Sequence, residues 1–335
     1  MSLDTKLSTT EFAILGAGAI GSILGAHLAR AGHRVIMLAR ARRAEQIERD
    51  GLRLKGLVDC SVEVPVLTDP TRLTSAEVLI VATKTSATAA ALEPLQAATI
   101  GTAFSIQNGV WKNDQLASVF GAQRVLGALA NTSGELQPTG EVLFTRNVNL
   151  FLGELGRSDS QSGRASRIAA TIDASGVRST AVDDILNREW TKFVGWVGLM
   201  GMSVATRART GDYLSDPDCA LLLVRLVREM SQLAAASGIR LTDQESLLPI
   251  RTMLESSDEA AIRAVCAAGE EFSLGAPEHR MSSLQDLEAR RPLEIDETLG
   301  DAVRRAERLG LSLPLLEAMY RLTAAIDRTN RILAP

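Results

Sequence analysis

Hydrophobic positions along this chain change period near residue 185, from short continuous runs to helical spacing alone. In the first half, Phe12 to Leu15, Arg34 to Ala39, Val78 to Ala82 and Thr102 to Ile106 are brief, apolar and partly β-branched, as strands buried on both faces of a parallel sheet should be. Between them lie helical patterns: Ile20, Leu24, Leu28 and Ala31 stopping at Gly32, a charged segment Ala41 to Asp50, and an alanine-rich stretch Ala87 to Leu95 that Ser86 could cap. Shorter β-like pieces fall at Leu52 to Leu54 and Val62 to Val66, and Asp69-Pro70 marks a turn. Strands around Val125 to Leu129, Val142 to Phe144 and Asn149 to Gly153, with Pro138-Thr139-Gly140 as a hairpin-type turn, read as antiparallel. A helix from Ser162 to Ala174 and a strand from Val177 to Thr180 close this part. Beyond Ile185 the pattern predicts only helices: Arg188 to Arg209, Asp218 to Ser237, Gln244 to Glu255, Glu259 to Ala268 and two more near the end. An α/β domain over residues 1–185 followed by an all-helical domain over 186–335 is the expected architecture, and a cleft between them is the default place for a substrate.

The first strand runs into Gly16-Ala17-Gly18-Ala19-Ile20-Gly21 and then into a helix. In that context the glycines have separate reasons. Gly16 suits the tight turn, Gly18 lets backbone amides approach a pyrophosphate, and Gly21 lets the helix pack close to the strand. The helix N-terminus, with Ala19, then faces the negative charge. Sites selecting NAD place a carboxylate about 20 residues past the glycines. Here the second strand ends in Leu38-Ala39-Arg40 with Arg42 and Arg43 beyond, and no carboxylate appears before Glu45. A guanidinium pairs with a 2′-phosphate through parallel hydrogen bonds, so the expected cofactor is NADPH. The competing reading makes these arginines a solvated helix face.

Composition narrows the partners. With 36 basic and 40 acidic residues in 335 and a net charge of -4, the chain has no field to gather nucleic acid or an anionic membrane. Cys60, Cys219 and Cys266 are odd in number and widely spaced, which predicts a reduced, cytoplasmic setting. His27, His33 and His279 are scattered, so no metal site is expected, and His27 within the first helix reads as a packing or surface residue. The longest apolar stretch, Val194 to Ala205, is too short for a bilayer. The N-terminus lacks a basic segment followed by an apolar one, and Met1-Ser2-Leu3 could be an expression remnant. The pattern is silent on oligomeric state and leaves a homodimer open.

A nicotinamide moves hydride by itself; the protein must orient the acceptor and supply a proton to the oxygen. With the histidines scattered and only Tyr213 and Tyr320 as tyrosines, a lysine is the economical donor. Beyond Lys6 there are four, Lys55, Lys84, Lys112 and Lys192, in a chain that otherwise prefers arginine. Lys192 sits among Trp190, Phe193 and Trp196, where desolvation would lower its pKa, unless it merely snorkels to the surface. Lys84 follows the strand Val78 to Ala82, where open α/β sheets hold ligands. Gly195, Gly198 and Gly201 recur every third position on the Lys192 helix; their cost of about 1 kcal/mol each calls for a close neighbour, either a ligand or another helix. Glu294, just after Pro292, is expected in the first turn of a helix running to Leu309.

The order of these motifs resembles the ketopantoate reductase family, the NADPH-dependent 2-dehydropantoate 2-reductases. The resemblance rests on Gly16 to Gly21, Lys84, Gln107-Asn108-Gly109, Trp190-Thr191-Lys192, Ser282-Ser283-Leu284-Gln285-Asp286, Glu294-Ile295-Asp296 and Gly300, which span nearly the whole chain. It implies a Rossmann-type N-terminal domain, a helical C-terminal domain and a 2-oxo acid substrate. By the same resemblance Lys192 would protonate the ketone oxygen and Glu294 would bind and orient the substrate hydroxyl. Asn108 would hold the nicotinamide or the substrate, Ser282 would contact the substrate, and Lys84 would lie near the cofactor. One departure stands out: family members that make pantoate carry asparagines one and two turns after the lysine, where this chain has Trp196 and Met200. Neither reproduces an amide's paired donor and acceptor. Ketopantoate is the leading single substrate, with a more apolar or bulkier 2-oxo acid as the alternative; a noncatalytic NADP(H)-binding sensor and an oxidising dehydrogenase are further readings.

Overall fold

A computed structural model describes residues 10–156, 163–244 and 246–332. Met1-Ser2-Leu3, Lys6 and the expected helix start at Ser162 lie outside the described residues. The chain divides into two compact units, one of residues 1–108 and 112–186, the other of 109–111 and 187–335.

The first unit is a mixed ten-stranded sheet flanked by helices. Strand β1 (Phe12–Leu15), helix α1 (Ala19–Arg30), β2 (Val35–Leu38) and α2 (Ala41–Asp50) open it, with bounds close to those the periodicity predicts. Then follow β3 (Leu52–Gly56), β4 (Cys60–Val62), β5 (Val66–Leu67), β6 (Ser75–Val81), a short α3 (Thr88–Leu92), β7 (Thr99–Ser105) and α4 (Trp111–Phe120). With β8 (Val125–Leu136) and β9 (Val142–Glu154) further along the chain, the sequence of neighbours is β4-β3-β9-β8-β7-β6-β1-β2-β5. From β8 to β5 every pairing is parallel, and β1 lies between β2 and β6, so the strand order reverses at the carboxyl ends of β1 and β6. Ligands of open α/β sheets bind at such a reversal.

The long strands β8 (Val125–Leu136) and β9 (Val142–Glu154) form the antiparallel pair that the turn residues announce, with Gly140 at φ +87° in the connection. They are longer than the apolar runs because pairing continues through polar positions, with register shifts between Ala130 and Thr132 and between Ser133 and Gly134. Helix α5 (Arg164–Ala174) and β10 (Ser179–Ala181), parallel to β9, complete the unit. Alternation along β1 divides its side chains between the two cores. Phe12 and Ile14 join Ile23, Leu24, Ile168 and Ile172, while Ala13 and Leu15 join Leu92, Leu95 and Leu116 on the other face.

The second unit is helical. After α6 (Ile185–Thr206) come α7 (Thr210–Ser215), α8 (Pro217–Ala236), α9 (Ile250–Glu255), α10 (Asp258–Gly275), α11 (Ser282–Glu288), α12 (Leu299–Arg308) and α13 (Pro314–Ile332). The glycine stripe on α6 is explained by packing: a Cβ on Gly195, Gly198 or Gly201 would lie 3.0 Å from Ser246, 2.7 Å from Leu223 and 2.7 Å from Met319. No helix among the described residues is long and apolar enough to cross a membrane.

Several sequence expectations need correction. Ser86 caps nothing; it lies inside a 3-10 turn, Thr85–Ala87, and α3 starts from Ala87 without a side-chain cap. The helix expected from Gln244 shrinks to Ile250–Glu255, since Asp243, Ser246 and Pro249 organise the preceding residues as turns, with Asp243 accepting from the Arg251 N–H at 2.8 Å. Helix α7 has too few residues to show a period and went unread. Most important, Glu294 is not in a first helical turn. Helix α12 begins only at Leu299, and Glu294 sits in the turn before it.

Candidate active site

The glycine turn separates structural from ligand-facing glycines. Gly16 has φ +104°, and a Cβ there would lie 2.8 Å from the backbone of Ala82 and Thr83; a Cβ on Gly21 would overlap the Gly16 carbonyl. Both are required by packing. At Gly18 the nearest atom to an added Cβ, the Ala82 carbonyl oxygen, is 4.0 Å away, so the protein itself does not need glycine at this position. Gly18 is also the N-cap of α1, which has no side-chain cap and no acidic residue in its first turn. Open backbone amides, a positive helix end and a missing Cβ fit a dinucleotide pyrophosphate.

Around this turn the strand ends are tied together by buried polar bonds. Gln107, past the end of β7, donates through Nε2 to the Thr83 carbonyl at 2.8 Å and the Thr88 hydroxyl at 2.6 Å, and its Oε1 accepts from Ser105 Oγ at 2.9 Å. The buried Lys112 ammonium donates to the Gln107 carbonyl at 3.0 Å and to the Ala128 carbonyl. This network fixes the backbone on either side of the exposed Lys84 and the half-buried Asn108.

The arginines after β2 divide by role. Arg40 is exposed at the N-cap of α2, and Arg42 is exposed in its first turn. Arg43 turns inward: Nε donates to the Ala17 carbonyl at 3.0 Å, Nη2 to Ser22 Oγ at 3.1 Å and Nη1 to the Gly140 carbonyl at 2.7 Å. Burial pulls its pKa below the usual arginine range. It is therefore neither a phosphate ligand in waiting nor part of a solvated face, but a brace joining α2, the glycine turn and the β8–β9 connection. His27 proves to be a buried packing residue, its Nδ1 2.9 Å from the Ser175 carbonyl and its ring edge-on to Phe144.

Within the helical unit, Trp196, Met200, Ser282, Ser283, Asp286, Leu293 and Glu294 line one pocket. Lys192, Trp196 and Met200 follow one another at four-residue spacing on α6 and so share a stripe of that helix. Lys192 is half-buried between the buried Thr191 and Phe193. Of the other described lysines, Lys55 pairs with Asp59 on the surface and Lys112 is held by carbonyls.

Tertiary bonds set the opposite wall. Arg290, at φ +53°, ends α11, and the Asp286 carboxylate meets the Arg291 guanidinium at 2.9 Å. The Leu293 N–H donates to Asp327 Oδ1 at 3.1 Å, and Asn330 Nδ2 to the Leu287 carbonyl at 2.7 Å, both from α13. Thr298, fully buried, donates its hydroxyl to the Glu294 carbonyl. Tyr320 Oη donates to Asp296 Oδ1 at 2.9 Å. These bonds, rather than a helix dipole, hold Glu294 at the pocket. The structure thus brings together Trp196, Met200, Ser282 and Glu294, and adds Ser283 and Asp286, which the motif contains without an assigned role, and Leu293. The clue lay in the spacing of 282, 283 and 286 on one face of a helix. Among the described residues no group of His, Cys, Asp and Glu could hold a metal.

The family model described as ketopantoate reductase PanE/ApbA matches residues 12–157, and its C-terminal counterpart matches residues 184–327. The chain belongs to the ketopantoate reductase family. It is an oxidoreductase, and family membership accounts for a dinucleotide-binding first unit. The 2-dehydropantoate 2-reductase of Mycobacterium tuberculosis is 30% identical over 319 residues, covering 94% of this chain and 97% of its own. A PanE/ApbA family ketopantoate reductase from Ralstonia eutropha JMP134 superposes with a TM-score of 0.80 at 26% identity, over 96% of this chain and all of that one. A D-mandelate dehydrogenase solved with NADH and anilino(oxo)acetate shares the fold, with a TM-score of 0.79 at 20% identity over 96% of this chain and 99% of its own.

Proposed function

We propose that this protein reduces a 2-oxo acid with NADPH, ketopantoate to pantoate being the leading single reaction, in a reduced cytoplasmic setting that suits its free cysteines. The observation that carries the reading is the pocket in which Glu294 and Ser282 meet Trp196 and Met200, on the same stripe of α6 as Lys192. When bound, the reduced nicotinamide supplies a hydride to the keto carbon. The chain's own residues do the rest. The Lys192 ammonium donates a proton to the oxygen that becomes the alcohol, and Glu294 binds and orients the substrate's hydroxyl. Gly18 and the open amides of α1 bind the pyrophosphate, Asn108 and Lys84 border the cofactor, and the exposed Arg40 answers the 2′-phosphate, since Arg43 is committed to the brace.

A second reading, a bulkier or more apolar 2-oxo acid, is favoured by Trp196 and Met200, both buried and without an amide's paired groups. A panel of 2-oxo acids, followed by NADPH and NADH absorbance, decides between them. Turnover with ketopantoate, NADPH preferred, and that preference cut about tenfold or more in Arg40→Ala support the proposal. Turnover only with larger acids moves it to the second reading. NADPH left unoxidised by every acid overturns it.

A further inference from the structure

One peptide group of the glycine turn is gripped on one side only. The Ala17 carbonyl accepts two hydrogen bonds, from Arg43 Nε at 3.0 Å and from Ser22 Oγ at 3.2 Å. The fully buried Ser22 in turn accepts at Oγ from Arg43 Nη2 at 3.1 Å, so guanidinium, hydroxyl and carbonyl close a ring. One hydroxyl proton and one lone pair supply both Ser22 bonds. From the same guanidinium, Nη1 donates to the Gly140 carbonyl at 2.7 Å and to Gln46 Oε1 at 3.3 Å. Gly140 leaves room for this, since a Cβ there would lie 3.0 Å from Nη1. The peptide bond joining Ala17 to Gly18 is trans, and in a planar trans peptide the N–H points opposite to the C=O. With the carbonyl held toward Arg43, the Gly18 N–H is turned the other way, and among the described residues it meets no acceptor.

We infer that Arg43 is a positioning residue for the cofactor: through the Ala17 carbonyl it sets the direction of the Gly18 N–H, without itself touching phosphate. The inference rests on the reading of Gly18 and the open amides of α1 as the pyrophosphate site. An amide already aimed binds an anion better than one that must first turn, because the ordering is done before binding. Arginine suits this task where lysine does not. Its fork reaches the Ala17 carbonyl, Ser22 and Gly140 with three different nitrogens, whereas an ammonium is a single point. The bond to Gly140, in the β8–β9 connection, holds the guanidinium on its own side of the turn. Two arginines three positions apart thus have separable effects: Arg40 answers a phosphate that only NADP(H) carries, and Arg43 acts on the pyrophosphate that NADH and NADPH share.

Calorimetric titration of the full chain with NADPH, NADH, 2′-phospho-ADP-ribose and 2′-AMP, the last lacking the pyrophosphate, tests the assignment. Arg43→Gln should weaken the three pyrophosphate ligands about tenfold each and leave 2′-AMP within about twofold of the wild type. Arg43→Lys, which keeps the charge and loses the fork, should lose nearly as much. Arg40→Ala should show the reverse pattern, weakening NADPH and 2′-AMP while sparing NADH. Ser22→Ala removes only one small donor to the same carbonyl, so it should fold even where the arginine variants do not, and should repeat the Arg43 pattern at about threefold. A purely structural brace would weaken all four ligands alike; that result, or wild-type affinity for 2′-phospho-ADP-ribose in both Arg43→Gln and Ser22→Ala, overturns the inference while the reductase reading stands. The expected pattern in a chain that oxidises NADPH with no 2-oxo acid sustains the inference and removes the reductase reading. A wild-type chain that binds neither NADPH nor NADH overturns both.

Discussion

At the scale of single residues, the same amino acid serves opposite purposes three positions apart. Gly21 is glycine because a Cβ would strike the Gly16 carbonyl, whereas Gly18 faces nothing of the protein within about a carbon's contact distance. Gly18→Ala is therefore expected to keep the wild-type Tm and lose NADPH affinity by about tenfold or more, because the methyl group enters the proposed pyrophosphate site. Gly21→Ala should lower Tm by several degrees, since backbone cannot yield as a side chain can. Thermal melts and cofactor titrations of both variants check this; equal Tm losses would make Gly18 structural. The packing role of Gly21 was legible in the sequence because it depends on a local turn. The role of Arg43 was not: its partners Ala17, Ser22 and Gly140 come together only in the folded sheet, so a local reading could offer it only phosphate or water.

At the scale of elements, periodicity found most of the helices and strands and failed where tertiary bonds override local signals. Helices α1, α2 and α8 carry a clear apolar stripe or a charged face, and their bounds fell close to expectation. The segment from Leu293 to Thr298 instead carries a proline signal for a helix start, yet the bonds from Asp327, Tyr320 and Thr298 hold it as a turn that delivers Glu294 to the pocket. The same turn carries a cost. Burial raises the pKa of Glu297 above the usual carboxylate range, with Asp296 and Glu294 adding to the effect. A carboxyl whose folded pKa exceeds its unfolded one favours the fold most when protonated, and that contribution is lost as pH rises through the folded value. Glu297→Gln should accordingly raise Tm at pH 8, with the gain shrinking toward pH 4. A gain that is constant across pH would locate its origin in packing rather than in charge.

At the scale of the whole molecule, fold class and family were open to reading because their motifs recur in order along nearly the full chain. The substrate was less so. Pocket residues Ser283, Asp286 and Leu293 meet Trp196 and Met200 only through helix packing. Two units, one that fits a dinucleotide and one holding a pocket beside a lysine-bearing stripe, make a reductase only if the lysine handles the proton. The most direct test is the single-turnover rate of NADPH oxidation with the preferred 2-oxo acid in wild-type protein and in Lys192→Ala, with the NADPH Kd of each measured alongside. The account predicts a rate about 10² to 10⁴-fold lower in Lys192→Ala at nearly unchanged Kd. A Lys192→Ala rate equal to that of the wild type would contradict it.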